Sequence, residues 1–229
     1  MIDYGQFCTV ARGSEVFGEL WTPLVVRELL CGSTRFNDIR RGVPRMSATL
    51  LARRLRKLEE VGVIRRQRGA SGWEYRLTAA GEELRPIVLQ IGHWGARWIG
   101  SRLKREQLDA GFLMWDIRRF VHLDLVPRDR RVVIHFRFND ARRGEQRWWL
   151  VVQDGTADLC RDDPGHELTL IFDSSVRALT EVWTGDSDPK KELAAKRIRV
   201  TGPDRDARSL WRWIGQSTFA PSRVTADRA

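Results

Sequence analysis

Cysteine is scarce in this 229-residue chain: three residues, an odd number, do not build a disulfide framework. That scarcity fits a reducing compartment, and a soluble, cytoplasmic protein is expected. Apolar runs such as Leu113-Met114-Trp115 fall far below the ~18 residues of a membrane span. The opening Met1-Ile2-Asp3-Tyr4-Gly5 has neither the basic start nor the apolar stretch of a secretory signal. The chain also has no Walker loop, dinucleotide fingerprint, HExxH or CxxC motif. Its four histidines, at 93, 122, 135 and 166, lack the paired spacing of a metal site, so neither metal nor cofactor is expected. Ser174-Ser175 reads as a helix cap and not as a nucleophile. With no acid, base and nucleophile set in view, the expectation is a protein that is not an enzyme.

What is present is arginine. Lys plus Arg is 40 against 30 Asp plus Glu, and only five of the 40 are lysine. The excess is uneven: residues 1–105 carry 19 basic and 10 acidic residues, a net of +9, and residues 106–229 carry 21 and 20, a net of +1. Such asymmetry suggests that the first half meets a polyanion and the second does not. Arginine suits that task, because its planar fork matches phosphate and guanine edges. Hydrophobic residues at 42% allow real cores and exclude a disordered chain. Two domains are expected, residues 1–105 and 113–220, joined by a polar connector at 106–111.

In the first half, 15–30 holds two apolar stretches broken at Gly18, and 35–41 forms a short helix ended by Gly42-Val43-Pro44. Ser47 caps a helix over 47–61, where Leu51, Leu55 and Leu58 recur on one stripe widened by Leu50 and Val61. The period then changes. Residues 63–68 and 73–77 are strand-like and joined by Gly69-Ala70-Ser71-Gly72, which predicts a hairpin. Thr78 caps a long helix, kinked at Pro86, with Ile87, Ile91, Trp94 and Trp98 along one face.

Three helices and a hairpin are the order of a winged helix-turn-helix. On a helical wheel the leucine stripe lies opposite Thr49, Ala52, Arg53 and Arg56, small residues first and arginine beyond them. A helix entering a major groove needs both; an ordinary solvated face offers the same charges without the task. Arg45, Ser47, Thr49, Arg53 and Arg56 are therefore candidate contacts to double-stranded DNA, with Arg66 and Arg68 on the wing. Arg54 points toward the leucine side, where its head is expected to find an acid. The apolar stripe of Ile87, Ile91, Trp94 and Trp98 is the candidate dimerisation surface.

Several motifs in register carry a resemblance: Tyr4-Gly5-Gln6-Phe7-Cys8, Gly18-Glu19-Leu20-Trp21-Thr22, Arg27-Glu28-Leu29-Leu30, Arg35-Phe36-Asn37-Asp38-Ile39, residues 47–62 and Tyr75-Arg76-Leu77-Thr78-Ala79-Ala80-Gly81. Over about residues 4–100 they resemble the HxlR family of bacterial winged-helix regulators. The resemblance implies a homodimeric DNA-binding transcription regulator whose N-terminal and C-terminal helices form the dimer contact. It also singles out Cys8, since several members sense oxidants or electrophiles through a cysteine at this place. A buried, inert thiol is the other reading of Cys8.

The second half reads as α+β: an apolar helix at 112–121, four strands at 132–138, 147–152, 157–160 and 167–172, a helix at 174–184, a second opened by Asp188-Pro189, a strand at 197–200 and a closing helix at 204–214. An antiparallel sheet covered by helices is expected, followed by a disordered tail from Pro221. The layout, with Trp183-Thr184-Gly185 and Arg197-Ile198-Arg199-Val200-Thr201-Gly202, resembles a sterol carrier protein-like domain over about 114–215. That resemblance implies an apolar tunnel for a hydrophobic small-molecule ligand. Phe136, Trp148 and Trp183 either line it or fill a core. The expected function is a dimeric regulator binding an inverted-repeat operator under control of such a ligand. The alternatives are a redox regulator acting through Cys8 over a scaffold domain and, from another class, a lipid carrier.

Overall fold

A computed structural model describes residues 3–70, 72–99 and 103–220. Ser71, in the segment expected as the hairpin loop, and the residues from Pro221, expected as a disordered tail, lie outside the described residues. The chain divides into two compact units, Met1–Gly92 and His93–Ala229.

The first unit contains α1 (Thr9–Phe17), α2 (Thr22–Leu30), α3 (Phe36–Gly42), α4 (Ala48–Glu60), the antiparallel hairpin of β1 (Ile64–Gly69) and β2 (Gly72–Leu77), and α5 (Ala79–Glu82). From there α6 (Arg85–Trp98) runs through the division of the chain. The single long helix expected after Thr78 is two. Thr78 caps α5 by accepting from the Gly81 N–H at 3.3 Å, and Pro86 stands in the first turn of α6. There the missing N–H of proline costs no hydrogen bond, so the ring ends one helix and starts another. The sequence also hid most of α1, which begins at Thr9 and buries no residue.

The core of this unit is built from Val25, Val26, Ile39, Leu51, Leu55, Leu58 and Ile64, all buried. One acid lies within the unit's interior. Glu28 has no exposed side chain; it accepts from Arg27 Nη2 at 2.6 Å and from Ser33 Oγ at 3.3 Å. Arg27 Nη2 also donates to the Gly42 carbonyl at 2.8 Å, so α2 grips the C-terminal end of α3. Gly42 makes this possible: a Cβ there would stand 1.8 Å from the Glu28 carboxyl carbon, inside its van der Waals radius.

The second unit contains a 3-10 turn (Arg105–Gln107), α7 (Ala110–Arg119), β3 (Val132–Phe138), β4 (Arg147–Gln153), β5 (Thr156–Cys160), β6 (Leu170–Ser174), α8 (Val176–Thr184), α9 (Pro189–Ala194), β7 (Ile198–Thr201) and α10 (Asp204–Ile214). The strands order as β5-β4-β3-β6-β7, and β3 pairs with β6 in parallel. The sheet is therefore mixed, which corrects the antiparallel sheet expected from the sequence. Alternation reveals which face a side chain takes but not which strand it lies beside. Here the β4–β5 hairpin and residues 161–169 together act as the long crossover that parallel neighbours require.

Ile134, Phe136 and Phe138 of β3, Trp148 and Leu150 of β4, and Phe172 of β6 share a core with Met114, Ile117, Leu179, Trp183, Leu210 and Trp213 from the helices. On the other face His135 stacks on Trp149, its partner in register, with centroids 4.3 Å apart and planes within 7°. The His135 Nε2 and Trp149 Nε1 atoms are buried with no hydrogen-bond partner among the described residues. Burial, reinforced by the Arg137 and Arg147 charges, lowers the pKa of His135 below its ordinary 6.5.

The sign of the resulting pH dependence follows from linkage. Above about pH 6.5 neither the folded nor the unfolded chain protonates this imidazole. Below it the unfolded chain takes up a proton that the folded one refuses, so stability falls with pH until the folded-state value is passed. We expect the melting temperature of the wild type to drop between about pH 6.5 and 5 by more than that of His135→Phe, which keeps the stack and removes the titration. Parallel pH-melting series for the two proteins that superimpose would show that His135 is not the group responsible.

Candidate nucleic-acid interface

The candidate reading face is set by α4. Leu51, Leu55 and Leu58 are buried, which turns Thr49, Arg53 and Arg56 outward into solvent, with Ala52 half-buried between them. Ser47 caps the helix, its Oγ accepting from the Leu50 N–H at 3.2 Å. That hydroxyl still has its own proton to donate. Arg45 and Ser47 are exposed in the turn just ahead of α4. The helix thus starts with small side chains that permit close approach and continues into arginine.

Arg54 is the exception on this helix. It is 6% exposed, forms an ion pair through Nη1 with Glu19, and donates from Nη2 to the Leu20 carbonyl at 3.2 Å. The Arg54 hydrogen bond holds the Glu19 carboxyl below the ordinary carboxylate range against the opposing effect of burial. The next residue, Trp21, has φ of 77°, an uncommon conformation for a bulky residue, and serves as the N-cap of α2. Arg54 therefore pins α4 to the strained corner between α1 and α2.

In the wing, the register pairs Arg68 with Trp73 and Arg66 with Tyr75, so Arg66, Arg68 and Trp73 share a face. All three are exposed. The Tyr75 N–H donates to the Thr34 carbonyl at 2.8 Å and ties the hairpin to the loop between α2 and α3.

The distribution of ion pairs separates structural arginines from available ones. Arg27, Arg41, Arg54, Arg76 and Arg85 each pair with a carboxylate. Arg45, Arg53, Arg56, Arg66 and Arg68 make no ion pair among the described residues, and neither do Arg35, Arg40 and Arg65. The sequence reading passed over these last three, and over Trp73. Only the fold shows which arginines have acids beside them.

The remaining candidates lie as follows. Ile87, Ile91, Trp94 and Trp98 are exposed along α6, Trp94 at 59% and Trp98 at 68%. Cys8 is exposed at the N-cap of α1, and its carbonyl accepts from the Arg12 N–H at 3.1 Å, so the buried reading of this thiol is set aside. Phe136, Trp148 and Trp183 all lie in the core of the second unit. Their polar handles are satisfied: Trp148 Nε1 donates to the Glu145 carbonyl at 2.8 Å and Trp183 Nε1 to Asp116 Oδ2 at 3.0 Å. A separate cleft of about 400 Å³ in that unit is lined by His122, Leu125, Pro189, Trp211, Arg212, Gly215 and Gln216.

Comparison with known proteins adds a family. Residues 16–103 match the description "HxlR-like helix-turn-helix". The helix-turn-helix transcriptional regulator YvaP of Bacillus subtilis is 36% identical over 91 residues, which are 38% of this chain and 84% of that protein. YdeP of the same organism is 32% identical over 104 residues, 42% of this chain and 81% of that protein. The chain belongs to the HxlR-like helix-turn-helix family. A solved structure titled as a putative transcription factor, PA1607, shares 35% identity over 43% of this chain and 70% of its own, with a TM-score of 0.40. The redox regulator HypR in its reduced form shares 34% identity over 38% of this chain and 90% of its own, with a TM-score of 0.36. These matches span the N-terminal part of the HxlR-type chain, which is a DNA-binding helix-turn-helix of transcription regulators.

Arginine to a guanine edge contributes about 1–3 kcal/mol of discrimination. We therefore expect Arg53→Ala or Arg56→Ala to weaken binding to an operator selected from random duplexes by about that much. Unchanged affinity for both variants in an equilibrium titration would mean that another face of α4 meets the DNA.

Proposed function

We propose that this HxlR-type protein is a homodimeric transcription regulator that reads an inverted repeat with α4 and the wing, acts by binding and not by catalysis, and works in the cytoplasm. The observation that carries the DNA-contacting surface is that Arg45, Arg53, Arg56, Arg66 and Arg68, on α4, the turn before it and β1, make no ion pair among the described residues, as Arg12, Arg35 and Arg40 do not, while Arg27, Arg41, Arg54, Arg76 and Arg85 are matched to acids. An acid beside a phosphate-contacting arginine would compete with the phosphate, so a DNA-facing surface is expected to lack such pairs.

Dimerisation is supported by what the helices leave uncovered. The α1 helix buries nothing and follows a fully exposed Phe7, and α6 presents Ile87, Ile91, Trp94 and Trp98 to solvent. Apolar stripes of this kind mark interfaces. A two-fold dimer would set two reading helices ~34 Å apart, one turn of DNA. Sedimentation at micromolar concentration should show a dimer, Trp94→Arg should shift it to monomer, and selected operators should be inverted repeats. A wild-type monomer bound to an asymmetric site would overturn the dimeric reading.

The second unit is read as a sterol carrier protein-like sensor for a hydrophobic effector. Residues 106–229, which make up most of it, carry a net of only +1, which argues against a second DNA surface, and its cleft beside Trp211 offers room for a small ligand. A thermal-shift screen of lipids and hydrophobic metabolites on the full chain should yield ligands that raise the melting temperature and change operator affinity. Ligands that raise it and leave operator affinity unchanged would indicate carriage without control. A second reading, a regulator switched by oxidation at Cys8, is favoured by the exposure of that thiol. Cys8→Ser would then abolish an oxidant's effect on DNA binding without changing the reduced protein.

A further inference from the structure

In the wing, the Arg66 guanidinium carbon lies 4.1 Å from the centroid of the Trp73 ring, and that of Arg68 lies 5.6 Å from it. Trp73 itself is 49% exposed. Neither arginine has a carboxylate partner among the described residues, although an acid, Glu74, is the next residue along β2. Glu74 takes the opposite face of the hairpin, where it accepts from Arg76 Nε at 3.2 Å and Nη2 at 2.7 Å. Its carboxylate rests against bare backbone: a Cβ on Gly69 would stand 2.5 Å from Glu74 Oε1. The hairpin thus turns its acid away and gives its two arginines an indole instead.

A guanidinium stacked by its face on an aromatic ring keeps its in-plane N–H groups free, and those are the groups that fork onto a phosphate. An acid would have consumed them. The stack also restricts long side chains that otherwise lose rotamer freedom on binding. We propose that Trp73 is a positioning residue for the wing: it holds Arg66 and Arg68 as a pre-ordered, unneutralised pair for neighbouring phosphates of the DNA backbone. This rests on the DNA-binding reading above and adds to it a residue that carries no charge.

The test is equilibrium binding of the full chain to its selected operator and to a random duplex across a salt series. Trp73→Leu keeps apolar bulk on the strand and removes the π face; Trp73→Phe keeps a π face. We expect Trp73→Leu to weaken both duplexes by about two- to fivefold, the range of an exposed cation–π contact. It should also reduce the slope of log affinity against log salt, although no charge was removed. Trp73→Phe should retain most of the wild-type affinity and slope. In an Arg66→Ala, Arg68→Ala background, adding Trp73→Leu should change neither quantity. An undiminished loss in that background would overturn the proposal, because the indole would then be touching DNA itself. Wild-type binding in Trp73→Leu would overturn it as well, while leaving the DNA-binding reading intact. Failure of the wild type to bind any duplex would remove both together.

Discussion

A buried arginine must find an acid or leave a charge stranded in the core, and that constraint organises the DNA-binding unit. Arg54 is on the core side of a helix whose other arginines face water, and its pair with Glu19 joins α4 to the corner between α1 and α2. The same guanidinium caps the Leu20 carbonyl beside Trp21, which is held at positive φ. Removing Glu19 would leave the buried Arg54 charge uncompensated at a strained turn, a loss larger than the net contribution of the pair. The orientation of α4, and hence which of its residues reach outward, depends on this contact together with the leucine stripe.

Much of this was legible beforehand, for physical reasons. Leucine at helical spacing fixes which face of α4 is buried, so the outward positions of Thr49, Arg53 and Arg56 and the inward position of Arg54 follow from geometry alone. Ser47 as a cap is equally local. What escaped depends on contacts between elements distant in sequence. Nothing in the spacing indicates that Glu19 is the acid that Arg54 meets, that Gly42 is small to admit Glu28, or that β6 lies parallel to β3. The stack of Arg66 on Trp73 requires the hairpin register, which the loop sequence leaves open. The break before α6 was visible as Pro86, yet proline marks a kink and a helix start with the same residue.

The two kinds of arginine in this unit show how one residue type serves two ends. Where an acid is near, as at Arg27, Arg76 and Arg85, the guanidinium is committed to the fold or to local charge balance. Exposed pairs of the Arg85–Glu82 type contribute little to stability, so their chief effect is to lower the local positive potential. Where no acid is near, the potential is left standing, and it stands on α4, on β1 and, through Arg40 and the N-cap Arg35, on α3. Over residues 1–105 composition supplies an excess of +9; the placement of the acids decides where that excess acts.

The sensing role proposed for the second unit poses a different problem, because a sensor would need a space and an interior needs to be full. Phe136, Trp148 and Trp183 are in the interior with their ring N–H groups, where they have them, already satisfied. A ligand that displaced them would have to replace dense packing and two hydrogen bonds, at a cost of several kcal/mol by the usual cost of core disruption. The cleft at His122 and Trp211 demands no such disruption. Gly215, at φ of 68°, brings backbone close to the His122 ring there, so this rim is shaped by main chain as well as side chains. For a ligand at that rim to govern transcription, it must bind the DNA-competent and DNA-incompetent conformations unequally, since equal affinity shifts no population however tight the binding.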